Sequence, residues 1–174
     1  ITWPSVISSD SSTGTIAYAT ANPTTFITYN ESNYDWYYTG DYSTDNTRWT
    51  ESGKTKSIYD PCPYGWRVPD GGGIGVWTVA LGSWSQFDNT YSSTDKGINF
   101  SDKFGSEATI WYPASGRLDS DDGSLSYVGI LGSCWSASPA ATYKVYFLTF
   151  EYGGCDPMIY ASRTYGISVR CVKE

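Results

Sequence analysis

Four cysteines, at positions 62, 134, 155 and 171, are the groups in this 174-residue chain with the most chemistry of their own. None of them shows the two-residue spacing at which paired thiolates close on zinc, so disulfides are the better reading, and with them an oxidising compartment. Buried free thiols in a cytosolic protein are the alternative. A Cys62–Cys171 bridge would close a loop of about a hundred residues, worth roughly 4–5 kcal/mol through the entropy it removes from the unfolded chain. Catalysis has less to draw on. There is no histidine, so a Ser or Cys nucleophile lacks its usual base. A glycosidase needs two carboxylates facing each other in a cleft, and no spacing of Asp or Glu singles out a pair. Asp119, Asp121 and Asp122 around Gly123 carry the oxygens of a cation loop, but a solvated turn accounts for them. Gly71-Gly72-Gly73 lacks the strand, the spacing and the lysine of a phosphate loop and reads as a hinge or turn. The chain is expected not to be an enzyme, and to need neither cofactor nor metal.

What remains is binding. The net charge is -7, and the 11 basic residues are scattered without a run, so nucleic acid and anionic membranes are not expected partners. No apolar stretch approaches the ~20 residues of a membrane span, so direct membrane insertion is not expected. Ile1 opens without the basic start and apolar core of a signal peptide, which reads as a mature or excised piece of something longer. Tyr (16) and Trp (8) are abundant beside 18 Gly, the palette of β-rich folds and of binding faces, where rigid aromatic rings give contact area at small entropic cost. Length predicts one domain over residues 1–174, with 1–20 as a lead-in.

The elements that must position these residues are organised by one corner, Tyr59-Asp60-Pro61-Cys62-Pro63-Tyr64-Gly65-Trp66-Arg67-Val68-Pro69-Asp70. Three prolines lock φ and push Asp60, Cys62 and Val68 away from helix, while Gly65 allows a conformation closed to other residues. Cys62, Trp66 and Arg67 are its cross-linkable, buryable and ion-pairing groups. The alternating stretch Ser168-Val169-Arg170-Cys171-Val172 offers the partner strand.

Along the chain, Ile16-Ala17-Tyr18-Ala19-Thr20 reads as a strand. Asn22-Pro23 reads as the cap and first turn of a helix over residues 23–30. Asp35-Trp36-Tyr37-Tyr38 and Arg48-Trp49 read as core. Asp70 is placed to cap a second helix over residues 72–82, ended by Gly82. Residues 83–104 read as long polar loops, followed by strands over 108–112, 133–138, 143–150 and 167–172. In the third of these, Tyr146, Leu148 and Phe150 share one face and Val145, Phe147 and Thr149 the other.

The corner, together with Ile110-Trp111-Tyr112-Pro113-Ala114-Ser115-Gly116, Trp135-Ser136-Ala137-Ser138-Pro139, Arg163 and Ser168-Val169-Arg170-Cys171-Val172, resembles the C-type-lectin-like domain at the ends of fimbrillin-type bacterial adhesins. More narrowly, it is similar to the variable proteins of diversity-generating retroelements, over residues 20–174. The resemblance implies an α+β C-type-lectin-like fold with two short helices, a small twisted antiparallel sheet and long loops. It implies a place on the bacterial cell surface, as part of a larger surface protein or pilus tip, and a protein or glycan ligand on another cell or host surface.

In that family, rewriting of template adenines turns asparagine codons into many others while the scaffold stays constant. The scaffold words here are Trp135, Ser136, Ser138, Pro139, Leu148, Phe150, Pro157, Arg163, Gly166 and Arg170. Between them stand Tyr127, Ile130, Leu131, Thr142, Tyr143, Phe147, Thr149, Tyr152, Asp156, Ile159, Tyr160, Tyr165 and Ile167, which share no chemistry and are the residues implied to diversify and to bind. Cys134 stands where the family has a tyrosine. With Cys155 it is either a chance thiol or half of a second bridge. The calcium-lectin sugar motifs are absent. A fixed carbohydrate-binding module and a structural pilus subunit are the rival functions.

Overall fold

The computed structural model of the chain describes residues 5–29, 31, 34–40, 48–49, 55–82, 91–100 and 110–174. Its strands are β1 (Ser5–Ser8), β2 (Thr25–Thr28), β3 (Trp66–Arg67), β4 (Tyr91–Ser92), β5 (Gly97–Asn99), β6 (Trp111–Pro113), β7 (Arg117–Leu118), β8 (Leu125–Ser126), β9 (Gly132–Ala141), β10 (Lys144–Glu151), β11 (Gly154–Ser162), β12 (Ser168–Val169) and β13 (Val172–Lys173). Two short helices, α1 (Ile16–Ala21) and α2 (Val76–Leu81), and a 3-10 turn at Gly72–Ile74 complete an α+β architecture. The main sheet has the order β11-β10-β9-β12, antiparallel except that β12 runs parallel to β9. Smaller sheets pair β1 with β2, β3 with β13, β4-β5-β6, and β7 with β8. Among the described residues no helix is long and apolar enough to cross a membrane.

The main sheet is where the period of two does its sorting. Leu148 and Phe150 on β10 turn with Cys134 of β9 and Cys155 of β11 into a core completed by Trp77 and Leu81 of α2 and by Ile98, Phe100 and Tyr112. Phe100, Tyr112 and Phe150 meet edge to face at centroid distances of 5.0, 5.9 and 6.1 Å, the arrangement that the ring quadrupoles favour. Within the cluster Trp77 Nε1 donates to Tyr112 Oη at 3.2 Å. Gly132 lies opposite Phe150, and a Cβ there would overlap the Phe150 ring, so the glycine is a packing requirement.

The corner is clasped as its prolines suggested. Cys62 and Cys171 form a disulfide with Cα atoms 5.8 Å apart, a bond that fits an oxidising environment. β13 pairs with β3 alongside it, Val172 opposite Arg67 and Lys173 opposite Trp66. Asp60, buried, accepts the Cys62 and Val68 amides at 2.8 and 2.9 Å, and Lys56 Nζ donates to the carbonyls of Cys62, Pro63 and Trp66. Two further bonds tie the corner to β9: Ala137 N–H to the Pro69 carbonyl at 2.9 Å, and Gly71 N–H to Ser138 Oγ at 3.0 Å.

Several local expectations are overturned. Residues 16–20 are helical and residues 25–28 are a strand, the reverse of the reading above. Thr15 Oγ1 accepts the Tyr18 amide and starts α1, while Asn22 Nδ2 donates to the Tyr18 carbonyl and ends it. Asn22-Pro23 is thus the stop of one helix rather than the start of another. The β-branched run that follows then pairs in parallel with β1. β1 and α1 both fall within residues 5–21. Asp70 does not cap α2, whose N-cap is Gly75 without a side-chain bond; its carboxylate takes Arg67 Nη2 at 2.9 Å. Trp66 is 42% exposed, whereas Val68, two residues on, is fully buried.

β11 was not foreseen. Pro157 breaks its hydrogen-bonding pattern, and the register slips between Asp156 and Ile159 to absorb it, at the edge of the sheet where proline is tolerated. The strand expected at residues 167–172 is two, β12 and β13. Positions 83–90 and 101–109, covering most of the expected loops and the start of the expected strand at 108, lie outside the described residues. Cys134 and Cys155 are free and buried. A second bridge between them is closed off by the sheet. They sit on strands separated by β10, opposite Leu148 and Phe150 respectively, so two interstrand gaps and a two-residue offset put them roughly 11–12 Å apart, beyond the ~7 Å a disulfide spans.

Candidate ligand-binding face

Residues paired across antiparallel strands share a face, so the second face of the sheet can be read in rows. Ser133, Thr149 and Asp156 form one row; Trp135, Phe147 and Ile159, with Val169 on β12, form the next. The centre of the second row is closed. Phe147 is 3% exposed, packed edge to face on Trp135 at 5.5 Å, while Ile159 at the rim is exposed. The expectation that Phe147 binds ligand is therefore corrected: the alternation was right, but this face is covered in turn. Its cover includes the segment at 35–37 with Arg48 and Trp49, and between cover and sheet lies a cleft of about 150 Å³ walled by Trp36, Tyr37, Trp49 and Trp135. Asp35 and Arg163 close it as an ion pair, Nη1 donating to Oδ2 at 3.2 Å. Burial pushes the Asp35 carboxyl up against the opposing pull of Arg163. The aromatic residues near 36 and 49 are half-buried cleft walls rather than sealed core.

The other candidates fall into two groups. Tyr127, Ile130 and Leu131 belong to the turn between β8 and β9, where the Ile130 and Leu131 amides both donate to the Tyr127 carbonyl. Tyr127 adopts φ 60° to close it. Tyr127 and Tyr165 both lie against the guanidinium of Arg117, at 5.4 and 4.5 Å from their ring centres. Ile167 follows directly on Gly166, which bridges to Leu118. Tyr152, on the tip joining β10 to β11, rests edge-on at 6.5 Å against Tyr91, whose hydroxyl donates to the Gly129 carbonyl at 2.8 Å. Thr149 and Asp156 are half-buried and occupied locally: Thr149 Oγ1 donates to the Gly132 carbonyl at 3.3 Å, and Asp156 Oδ1 accepts the Met158 amide at 2.8 Å.

The second group is organised by Tyr143 and Tyr160, with Thr142 exposed beside them. Tyr29 stacks on Tyr34 at 5.7 Å and Tyr34 meets Tyr143 at 5.2 Å. Lys144 Nζ lies over Tyr143 and Tyr160 at 5.6 and 5.0 Å, and Tyr160 meets Tyr146 at 6.1 Å. Five tyrosines and a lysine thus make one ladder, held in place where Ser162 Oγ donates to the Tyr34 carbonyl at 2.9 Å. Sequence reasoning had two of its members. Tyr29, Tyr34, Lys144 and Tyr146 were missed; the density of tyrosine at 29, 34, 37 and 38 was the available signal.

The Asp119–Ser124 turn is closed by its own side chains, Asp121 N–H donating to Asp119 Oδ1 and Ser124 N–H to Asp122 Oδ1. Among the described residues no three metal-ligating side chains converge. Comparison with family models, curated proteins and solved structures finds no match.

Proposed function

We propose that this chain is a ligand-binding domain without enzymatic activity, displayed at a bacterial cell surface. In this reading it carries diversified residues on a C-type-lectin-like scaffold, as the variable proteins of diversity-generating retroelements do. One observation carries the proposal, the division of exposure within a single stretch of chain. Of the thirteen residues taken as diversified, only Phe147 is buried, whereas Trp135, Ser136, Leu148, Phe150 and Pro157, interleaved with them as scaffold, all are. Of the other scaffold words, Ser138, Arg163 and Gly166 are half-buried and Pro139 and Arg170 exposed. A fold whose core tolerates change at the other twelve positions is one on which binding can be varied without refolding. The left-handed backbone at Tyr127 supports the same reading, because asparagine is among the residues that adopt it most readily. Its partners are then a protein or glycan on another cell or host surface. Sequencing this gene from many members of one population tests the idea. Substitutions concentrated at the twelve exposed or half-buried positions are expected; changes spread evenly along the chain would overturn it.

A further inference from the structure

The tyrosine ladder is more than the diversified residues within it. Tyr29 and Tyr34 come from the first fifth of the chain, far from the stretch taken to vary, yet their rings continue the line of Tyr143 and Tyr160. The hydroxyls of Tyr91 and Tyr112, by contrast, are occupied within the protein. Among the described residues, none of the hydroxyls of Tyr29, Tyr34, Tyr143, Tyr146 and Tyr160 has a hydrogen-bond partner. The ladder is also electrically mixed. Lys144 sits in its middle. At the Tyr29 end, the charges of Asp121, first, and Glu31 lie near enough to hold that phenol above its usual value.

These features select a ligand class. An apolar protein surface laid on the ladder would strip water from a row of hydroxyls, one ammonium and two carboxylates and return no hydrogen bonds, a cost that grows with each group. A strongly charged ligand would meet charges of both signs. A neutral chain of pyranose rings avoids both penalties. Its C–H faces rest on the negative faces of the phenol rings, and its hydroxyls pair with the phenols, Lys144 and the carboxylates at the Tyr29 end. We infer that the ladder is a calcium-independent platform for a neutral oligosaccharide, with Tyr29 and Tyr34 as its constant half and Tyr143 and Tyr160 as its adjustable half. This rests on the reading of Tyr143 and Tyr160 as ligand-facing, and it adds a ligand class and two residues that the reading did not contain.

The test is a titration of the whole chain against linear neutral hexasaccharides of glucose, mannose, galactose and xylose, with a proline-rich peptide as the competing aromatic-groove ligand. At least one hexasaccharide is expected to bind, with affinity unchanged by a calcium chelator. Tyr34→Ala should weaken it roughly tenfold, and Tyr34→Phe, which keeps the stack, by a smaller factor. Tyr64→Ala, on the exposed corner and outside both the ladder and the diversified face, should leave it unchanged. Thermal melts of each variant separate lost binding from lost folding. Failure of every hexasaccharide to bind, a requirement for calcium, or binding of the peptide instead would overturn the platform. So would sugar binding lost in Tyr143→Ala and Tyr160→Ala but untouched in Tyr29→Ala and Tyr34→Ala, a result that leaves the diversified face standing. Even drift across a population would remove the diversified face while leaving the sugar titration to decide the platform by itself.

Discussion

Opening the clasp between the corner and the last strand is the perturbation with the largest calculable consequence. The disulfide joins residues 109 apart. In the chain-entropy model that closure removes about 16 cal/mol/K from the unfolded state, or about 4.8 kcal/mol at 25 °C. Folded domains are stable by only about 5–15 kcal/mol, so the loss takes a third or more of the total. With an unfolding entropy of about 2.1 cal/mol/K per residue over 174 residues, Tm should fall by about 13 °C. The variant to make is Cys62→Ala with Cys171→Ala, since alanine leaves no orphaned hydroxyl beside Val68 and Ala137, which pack on Cys62. Urea denaturation followed by tryptophan fluorescence, with calorimetry for Tm, measures both quantities. The urea m-value should rise, because an unclasped chain exposes more surface when it unfolds. A loss under about 1 kcal/mol with an unchanged m-value would show that the corner's other ties, Asp60, Lys56 and the β3–β13 pairing, hold it without the bridge, and the reasoning would fail.

Arg163→Ala should remove the countercharge of the buried Asp35 carboxylate and cost about 3–5 kcal/mol near neutral pH. Because burial holds the folded pKa of Asp35 above its unfolded value of 3.8, the folded state keeps its proton longer. The deficit should therefore grow as pH rises through that window and shrink in acid; urea melts at several pH values showing a constant deficit would refute it. Phe147→Ala should cost about 3–5 kcal/mol against about 0.5 kcal/mol or less for Tyr160→Ala, and equal effects in chemical denaturation would contradict their assignment to core and surface. Cys134 and Cys155, whose thiols burial pushes up to about 12, should resist alkylation at mildly alkaline pH in the folded protein and react once it is unfolded, as mass spectrometry would show. Tyr127→Asn should keep or raise Tm, since asparagine takes the left-handed backbone at lower cost than tyrosine; a drop of several degrees would mean that the contact with Arg117 outweighs the backbone.

The corner was legible in the sequence because proline and glycine act on their own backbone, whatever lies around them. β10 was legible because the alternation of Leu148 and Phe150 with Phe147 and Thr149 states which residues share a face. Asn22-Pro23 misled because the same pair that opens a helix also closes one, and only the bond from Asn22 to the Tyr18 carbonyl decides which. β11 was hidden by Pro157, whose place at a sheet edge is a fact of topology rather than of composition. Phe147 and Trp66 went wrong for one reason. Alternation tells which residues share a face but not whether that face is covered: Phe147 is buried against Trp135, beside the cleft walled by Trp36, Tyr37 and Trp49, while Trp66 is left half in water. The tyrosine ladder is the extreme case, joining positions more than a hundred residues apart that no local pattern connects.

The same distinction explains how one domain can combine a demanding core with a permissive surface. Core positions on β10 answer to several neighbours at once: Phe150 touches Phe100 and Tyr112 and forbids a side chain at Gly132, so a change there propagates. Tyr160, itself exposed, meets among the described residues the ring of Tyr146 and the ammonium of Lys144, both half-buried. A substitution at Tyr160 therefore alters what the surface can hold and little else. The long closure at Cys62–Cys171 adds stability that no exposed residue has to supply, because it acts on the unfolded chain and is indifferent to which side chains the face displays. Stability drawn from the clasp and from one face of a sheet would, in the function proposed above, leave the composition of the ladder and of the Tyr127 turn to be set by a ligand.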